Sequence, residues 1–332
     1  MNIGIVGLGY WGPNIIRNFR QNSDIEKIIV CDVKKERLAA IKIKFPSVEI
    51  TDDFDAMLNT NIDAVAIATP IGTHYSLAKK ALEKGKHIWV EKPFTNSTES
   101  ASNLVELAEK KNLKIFVDHT FVYTGAVKKI RELIEKGELG EITYFDSVRI
   151  NLGLFQHDVN VVWDLAPHDL AIMRYVLSNK KIDAVAAHGI ANYYIHENIA
   201  HISVYLEDNC YAHFHVNWTS PVKIRRMIIG GRKRMLVFDD LLTTEKIKVY
   251  DSSVQLNSPE QIHDALIQYR TGDMYSPKVA ETEALSAGVK EFIAAIREDR
   301  TPLTSGLDGL EVVKILEAIE KSIKNDGKLI KI

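Results

Sequence analysis

The amino-acid sequence predicts an α/β fold: an N-terminal doubly wound parallel sheet, then an α+β domain with an open, mostly antiparallel sheet. Through residue 118, short apolar runs alternate with helical patterns, which is typical of parallel strands covered on both faces. After residue 122, longer segments alternate apolar and polar residues, as strands with one packed face do. With 332 residues the chain is longer than a single domain usually is, so we predict two domains, 1–120 and 121–332.

The elements of the first domain follow from local signals. Pro13 suits the first turn of a helix, and Gly85 suits the position after a helix end. The predicted strands are Asn2–Val6, Ile28–Cys31, Ala64–Ala68, His87–Val90 and Lys114–Val117. The predicted helices are Pro13–Arg20, Arg37–Lys44, His74–Lys84 and Ser97–Lys110.

The second domain is predicted from period-two alternation. The clearest case is the segment from Cys210, in which alternate residues through Trp218 are apolar and those between, such as His213 and His215, are polar. The predicted strands are Glu141–Asn151, Ala184–Tyr194, Ile199–Leu206 and Cys210–Thr219. The predicted helices are Gly125–Lys136, Thr282–Arg297 and Asp308–Lys324.

Composition narrows the classes of partner. A formal net charge of −2 provides no overall attraction to nucleic acid or to an anionic membrane. No apolar run approaches the roughly 18 residues of a membrane helix. The two cysteines, Cys31 and Cys210, have no pairing pattern, which favours a reducing compartment. We therefore predict a cytoplasmic protein without nucleic-acid or membrane partners.

A glycine-rich loop predicts a dinucleotide site. The run Gly7-Leu8-Gly9-Tyr10-Trp11-Gly12 matches GxGxxG between a first strand and a helix, the arrangement in which glycines let a pyrophosphate approach the backbone. Asp32 ends the second strand, where a carboxylate accepts hydrogen bonds from ribose hydroxyls and repels a 2′-phosphate. The predicted cofactor is NAD; NADP stays open because Lys34, Lys35 and Arg37 follow closely.

Two further strand ends are predicted at the same edge of the parallel sheet as the glycine loop, the edge formed by the carboxyl ends of the strands. Thr69 and Pro70 follow the third predicted strand, and His74 lies near the start of the next helix, where a surface or helix-start role is the alternative. Glu91, Lys92 and Pro93 follow the strand His87–Val90. Because the carboxyl ends of parallel strands line one crevice, Lys92 is expected near the nicotinamide end of the cofactor. A solvated Glu-Lys pair is the alternative.

The order of these motifs resembles the glucose–fructose oxidoreductase and inositol dehydrogenase (Gfo/Idh/MocA) family along the whole chain. That resemblance implies an NAD(P)-binding Rossmann domain and an open-faced sheet domain carrying substrate and oligomer contacts. It also implies an acid and a histidine four residues apart, here Asp164 and His168. Since Pro167 is tolerated only in a first helical turn, we place Asp164 at or near the N-cap. The alternative is a capping acid and a packed histidine.

The family chemistry assigns roles to these residues. His168 would be the general acid/base, Lys92 would stabilise the developing charge on the reacting oxygen, and Asp164 would orient the pair. Nicotinamide accepts the electrons, so no metal is expected. The predicted substrate-binding residues are Lys92, Tyr123, Arg149, Asn160, Trp163, Asp164 and His168.

Several stretches, including Asp158–Asp164 and Trp218–Arg225, resemble the nucleotide-sugar branch of the family. That branch includes UDP-N-acetylglucosamine 3-dehydrogenases, and Lys223, Arg225 or Arg226 could meet a diphosphate unless they form a solvated strand edge. The resemblance implies oxidation of a sugar C3 hydroxyl by a homodimer or homotetramer. The alternatives are a free-sugar or inositol dehydrogenase, an NADP-linked keto-sugar reductase, and a non-catalytic NAD-binding regulator.

Overall fold

The structure is a computed structural model that describes residues 1–153, 155–193, 195–255, 268–270 and 272–332. The chain divides into two compact units. The first contains Met1–Tyr123 and Thr282–Glu317, and the second contains Thr124–Glu281 and Ala318–Ile332. None of the helices in the described residues has the length and apolar character needed to span a membrane.

The first unit is built on a parallel sheet of six strands. The strands are β1 (Asn2–Val6), β2 (Lys27–Cys31), β3 (Glu49–Thr51), β4 (Ala64–Ile67), β5 (His87–Glu91) and β6 (Ile115–Asp118). The helices are α1 (Gly12–Arg20), α2 (Lys35–Lys44), α3 (Phe54–Leu58), α4 (Ile71–Glu83) and α5 (Thr98–Lys110), with a 3-10 helix at Thr120–Tyr123. The strand order is β3-β2-β1-β4-β5-β6, so the direction of winding reverses between β1 and β4. Ligands of open α/β sheets bind at such a reversal.

The second unit contains a mixed sheet of nine strands. Its helices are α6 (Gly125–Glu135) and α7 (Val161–Val176). Its strands are β7 (Ile142–Leu152), β8 (Ile182–Ile190), β9 (Ile199–Leu206), β10 (Cys210–Asn217), β11 (Thr219–Gly231), β12 (Met235–Asp239), β13 (Ile247–Tyr250), β14 (Ser253–Gln255), β15 (Gln268–Arg270), β16 (Met274–Tyr275) and β17 (Ile330–Lys331). The order is β16-β13-β12-β11-β7-β10-β9-β8-β17, while β14 and β15 pair separately. Only β7 and β10 are parallel among the paired strands described in this sheet.

The alternation predicted for β10 is confirmed. Cys210, Ala212, Phe214 and Val216 are buried, and the residues between them are half-buried. Helix α7 packs on the buried side. The strand predicted at Ala184–Tyr194 ends earlier, at Ile190, and Tyr194 lies outside the described residues. The sequence did not predict β3, α3, β11 or the strands after β11, because these elements are short or lack clear alternation.

The segment Thr282–Glu317 lies with the first unit, although the sequence assigned it to the second domain. It contains α8 (Ala284–Arg297) and the start of α9 (Gly306–Lys324). Phe292 of α8 packs edge-on against Trp89 of β5, with ring centroids 5.8 Å apart. A side chain at Gly288 would place its Cβ 3.1 Å from the same indole ring. The apolar face of α8 therefore completes the core around Trp89, a partner that is distant in sequence.

Candidate active site

The glycine loop between β1 and α1 has three positions with different requirements. Gly7 has a φ of +94°, and a Cβ there would lie 2.4 Å from the carbonyl oxygen of Ala68. A Cβ at Gly12 would lie 2.5 Å from the carbonyl oxygen of Gly7. At Gly9, by contrast, the nearest atom would be 4.0 Å away, on Arg37. The fold itself requires the outer two glycines, whereas the middle one leaves open space above the loop, where a phosphate group fits.

Asp32 joins the glycine loop to the turn after β2. Its Oδ2 atom accepts a hydrogen bond from the Leu8 N–H at 2.7 Å, and its Oδ1 atom accepts one from the Lys34 N–H at 2.8 Å. The Arg37 guanidinium lies 3.4 Å from Oδ2. Since each carboxylate oxygen has two lone pairs, this buried acid can hold the loop and still accept hydrogen bonds from a ribose.

A cleft of about 510 Å³ opens over this part of the first unit. Gly7, Gly9, Tyr10, Trp11, Asp32, Thr69 and Pro70, all predicted from sequence, are among its lining residues. The lining also contains Val6, Cys31, Val33, Arg37, Asp52, Phe54, Ala68, Thr73, Ser76 and Leu77. Asp52 and Phe54 were missed because they follow β3, which is too short to detect by pattern. The other predicted cofactor residues, Leu8, Gly12, His74, Glu91 and Lys92, are outside this lining.

The open Gly9 position, the remaining acceptor capacity of Asp32 and the volume of the cleft fit a dinucleotide. The glycine loop and the start of α1 would hold the pyrophosphate, and Asp32 would hold the adenosine ribose.

His74 holds two chain segments together from a buried position. Its Nε2 atom lies 2.8 Å from the carbonyl oxygen of Thr69, and its Nδ1 atom lies 3.0 Å from that of Pro93. The ring therefore connects the turn that follows β4 with the segment that follows β5. In this position His74 orients the cofactor loops through their backbone, and its ring does not face the cleft.

Lys92 directly follows β5 and is half-buried, and its peptide bond to Pro93 is cis. Glu91 and Asp118 lie beside it, paired in register at the ends of β5 and β6. Burial, followed by the charge of Asp118, raises the pKa of Glu91 well above its usual range. Burial also raises the pKa of Asp118 to about 6. Asp118 was not predicted as a site residue, although its position after a recognised strand beside β5 was a usable signal.

Tyr123 lies in the core of the first unit. Only 2% of its surface is exposed, its hydroxyl lies 2.9 Å from the Thr304 hydroxyl, and its ring stacks on Phe116. Burial raises the pKa of the Tyr123 phenol. The position suits packing, and contact of Tyr123 with substrate stays a prediction.

Helix α7 begins one turn earlier than predicted. Asn160 is the N-cap, and its side-chain oxygen accepts hydrogen bonds from the Val162 and Trp163 N–H groups at 3.1 Å. Asp164 is therefore in the first turn of the helix and is not the cap, and Pro167 lies inside the helix. Sequence reasoning treated Pro167 as a helix-start marker, but Asn160 is a strong cap and its signal was overlooked.

The predicted acid and histidine of α7 lie one turn apart. Asp164 and His168 are both half-buried, and residues four apart share one face of a helix. The indole N–H of Trp218, a buried residue at the end of β10, donates to Asp164 Oδ2 at 3.0 Å. That bond orients the carboxylate beside the histidine. Trp163 is held elsewhere in the second unit, because its indole N–H donates to Glu320 at 3.0 Å.

Arg149 forms a buried ion pair with Asp169, the residue after His168. Its Nε and Nη2 atoms both donate to Asp169, and the shortest contact is 2.6 Å. The Ser147 hydroxyl also donates to Asp169, at 2.9 Å. Both charged side chains are 4% exposed or less. Arg149 thus ties α7 to β7, and its direct contact with substrate stays a prediction.

Breaking this pair is expected to be costly. Arg149→Met should lower the free energy of unfolding by about 3–5 kcal/mol, because it leaves the Asp169 carboxylate buried without its counter-charge. Equilibrium urea unfolding measures the change. The double variant Arg149→Met/Asp169→Leu should recover most of the loss. Arg226→Met, which removes the exposed pair with Asp239, should cost about 1 kcal/mol or less. Equal losses for Arg149 and Arg226 would contradict this interpretation.

The basic cluster on β11 is mostly paired. Arg225 lies 3.4 Å from Asp240, and Arg226 lies 2.9 Å from Asp239. Lys223 is exposed and has no ion pair with the residues that the structure describes. On β9 and β10, the rings of His201 and His215 stack with their centroids 4.3 Å apart. Within the described ranges, no group of three His, Cys, Asp or Glu side chains has the geometry to hold a metal ion.

The glycine loop, the buried acid and the cleft at the winding reversal define a dinucleotide-binding protein. Residues 1–119 match an oxidoreductase family with an NAD-binding Rossmann fold, and residues 127–237 match the C-terminal domain of the same family. The chain belongs to the Gfo/Idh/MocA family of oxidoreductases.

Characterised relatives cover nearly the whole chain. The UDP-N-acetylglucosamine 3-dehydrogenase of Acidithiobacillus ferrooxidans is 26% identical over 94% of each chain. Its solved structure, GnnA, matches with a TM-score of 0.82 over 98% of both chains. The myo-inositol 2-dehydrogenase of Thermotoga maritima is 23% identical over 98% of this chain and 96% of its own. The WlbA dehydrogenase of Bordetella pertussis, solved with NADH and UDP-GlcNAcA, is 19% identical, with a TM-score of 0.81 over 100% of this chain and 97% of its own.

Proposed function

We propose that this protein is an NAD-dependent dehydrogenase that oxidises the C3 hydroxyl of UDP-N-acetylglucosamine, or of a related nucleotide sugar, to a 3-keto sugar. The observation that carries the proposal is similarity to a UDP-N-acetylglucosamine 3-dehydrogenase over 94% of the chain. The acid–histidine pair on α7 and Lys92 after β5 supply the side chains that alcohol oxidation needs.

In the proposed reaction, Lys92 and His168 act on the same hydroxyl group. Nicotinamide, when bound, supplies the hydride acceptor. His168 removes the hydroxyl proton, for which a side chain that titrates near neutral pH is suited. Asp164, held by the Trp218 indole, keeps the imidazole oriented. The Lys92 ammonium donates a hydrogen bond to the oxygen as negative charge develops on it.

The preference for NAD over NADP is proposed from Asp32. Its carboxylate is buried at the adenosine end of the cleft, where it would repel a 2′-phosphate. Arg37 also lines the cleft but lies 3.4 Å from that carboxylate, which offsets much of its positive charge. A substrate diphosphate would meet Lys223, since Arg225 and Arg226 already face aspartates.

The proposal is tested by incubating the protein with NAD or NADP and a panel of UDP-sugars, free sugars and inositols while following the absorbance of the reduced cofactor. We expect turnover with NAD and UDP-N-acetylglucosamine or a close relative, and release of a 3-keto sugar identified by mass spectrometry. Turnover of free polyols alone would support the inositol-dehydrogenase alternative suggested by the Thermotoga relative. Tight NAD binding without any turnover would support a regulator.

We also propose a cytoplasmic homodimer or homotetramer. Tyr144, Tyr211 and Tyr205 lie side by side in register on β7, β10 and β9, on the face of the sheet opposite α7. Aromatic residues of this kind are enriched in interfaces, and a second copy would cover them. Light scattering after size-exclusion chromatography measures the mass, and a monomer at micromolar concentration would contradict the proposal.

A further inference from the structure

The two acids that end β5 and β6 lie side by side. Glu91 and Asp118 are register partners on adjacent parallel strands, and their exposed fractions are 8% and 1%. Register partners project to the same side of a sheet, so the two carboxyl groups are neighbours in a buried position. Two buried carboxyl groups that share a site cannot readily both ionise, which favours a proton on one of them.

The neighbouring groups decide which acid keeps that proton. The Thr120 hydroxyl donates to Asp118 Oδ1 at 2.8 Å, which stabilises a negative charge on Asp118. Burial and the charge of Asp118 raise the pKa of Glu91 well above its usual range, whereas the pKa of Asp118 rises only to about 6. The proton is therefore favoured on Glu91 and the negative charge on Asp118.

Lys92, the residue after Glu91, is the cation whose charge acts on this pair. Its positive charge lowers the pKa of both carboxyl groups, in opposition to their burial. Two further titratable side chains are close to Asp118: the Tyr123 phenol, which burial keeps neutral, and the buried ring of His119, the next residue in the chain. Among Glu91, Asp118 and Lys92, the charge balance is one ammonium against one shared carboxylate charge.

We propose that Glu91 and Asp118 act as a shared-proton pair whose single negative charge is the counter-ion of Lys92. This positioning role rests on the proposed function, in which the Lys92 ammonium stabilises the developing alkoxide. Two negative charges would attract the ammonium away from that oxygen, and a neutral pair would weaken the preference of a half-buried amine for its charged form. One charge keeps the lysine cationic and still available to substrate.

The proton is tested without any substrate by infrared spectroscopy of the full-length protein at pH 7.5. The wild type should show the C=O stretching band of a protonated carboxylic acid in the difference spectrum against Glu91→Gln. The variant Asp118→Asn should keep this band, because in that variant Glu91 is still buried and its neighbour at position 118 carries no charge. Circular dichroism checks that each variant is folded. If the Glu91→Gln difference spectrum contains no such band, the shared-proton pair is ruled out, whatever the substrate proves to be.

Kinetics then test the link to Lys92. Asp118→Asn removes the charge and should lower kcat by about 10- to 100-fold, whereas Glu91→Gln preserves both the donor and the single charge, so its loss of kcat should be much smaller than that of Asp118→Asn. The Kd for NAD, measured by tryptophan fluorescence, should stay within about 3-fold in both variants. Equal loss of kcat in the two isosteric variants would show that the pair contributes packing only. Absence of turnover in the wild type would refute the proposed function and leave the infrared result intact.

The pH profile gives a third measurement. As the pH falls through the Asp118 pKa of about 6, the wild-type pair becomes neutral, and kcat should fall. Protonation of His168, the proposed base, would also lower kcat at acid pH, so the informative quantity is the difference between variants. In Glu91→Gln the amide donates a hydrogen bond to Asp118 and favours its ionised form. The fall of kcat that is due to protonation of Asp118, on the acid limb of the pH profile, should therefore occur at lower pH than in the wild type. An acid limb identical in the two proteins would contradict the link between the pair and Lys92.

Discussion

Lys92→Met is expected to lower kcat by about 10²- to 10³-fold, the usual loss when one donor to a developing oxyanion is removed. The reason is that methionine keeps the length of the side chain but cannot donate a hydrogen bond or carry a charge. Its Kd for NAD should be unchanged, because Lys92 lies outside the lining of the cleft in the first unit. Steady-state kinetics and a fluorescence titration with NAD separate the two effects.

Lys110→Met is the matched control, since Lys110 is an exposed lysine in the last turn of α5 and lies far from the predicted chemistry. Its kcat should equal that of the wild type. If Lys92→Met also retained full turnover, Lys92 would have no part in the mechanism, and the role proposed for Glu91 and Asp118 would fall with it.

His168→Asn is expected to lower kcat by about 10²- to 10⁴-fold, the range typical of a lost general acid/base. Without that base, the remaining rate should increase as the pH rises, because hydroxide in solution replaces the imidazole as proton acceptor. Asp164→Asn should have a smaller effect, since that carboxylate orients the ring and does not itself take the proton. Rates measured between pH 6 and 9 test all three expectations.

His188→Asn controls for a general effect of losing a histidine, because His188 is exposed on β8. The double variant Lys92→Met/His168→Asn provides a stricter test. If both side chains act on one hydroxyl, the combined loss should be well below the product of the single losses, as for residues that work as a unit. Fully multiplicative losses would indicate that they act in separate steps or at separate places.

Sequence periodicity predicted the parts of the fold that depend on local pattern. Strands β1, β2, β4, β5 and β6 are short buried runs in a parallel sheet, and the sequence placed each within about two residues. The glycine loop was also predictable, because a close backbone approach leaves no alternative to glycine at positions such as Gly7. Asp32 was found beside the loop, as its distance from the glycines suggested.

The contacts that individual side chains make could not be predicted from the sequence. Tyr123 and Arg149 were predicted to bind substrate, and the structure shows that each has a buried partner, Thr304 and Asp169 respectively. Asp118 was overlooked although it follows a recognised strand, because an acid in that position becomes informative only together with its neighbour. Its importance comes from Glu91 on the adjacent strand, 27 positions earlier in the chain.

The amino-acid sequence by itself determined the fold class, the position of the dinucleotide loop and the residue types available for chemistry, because these follow from short-range spacing and steric limits. Only the tertiary structure decided which polar side chains are packed, which acids share a proton and where α8 belongs. Burial and pairing are set by neighbours brought together from distant parts of the chain. For that reason an aspartate on the surface is an ordinary acid, whereas Asp118 is a buried acid whose pKa is raised to about 6.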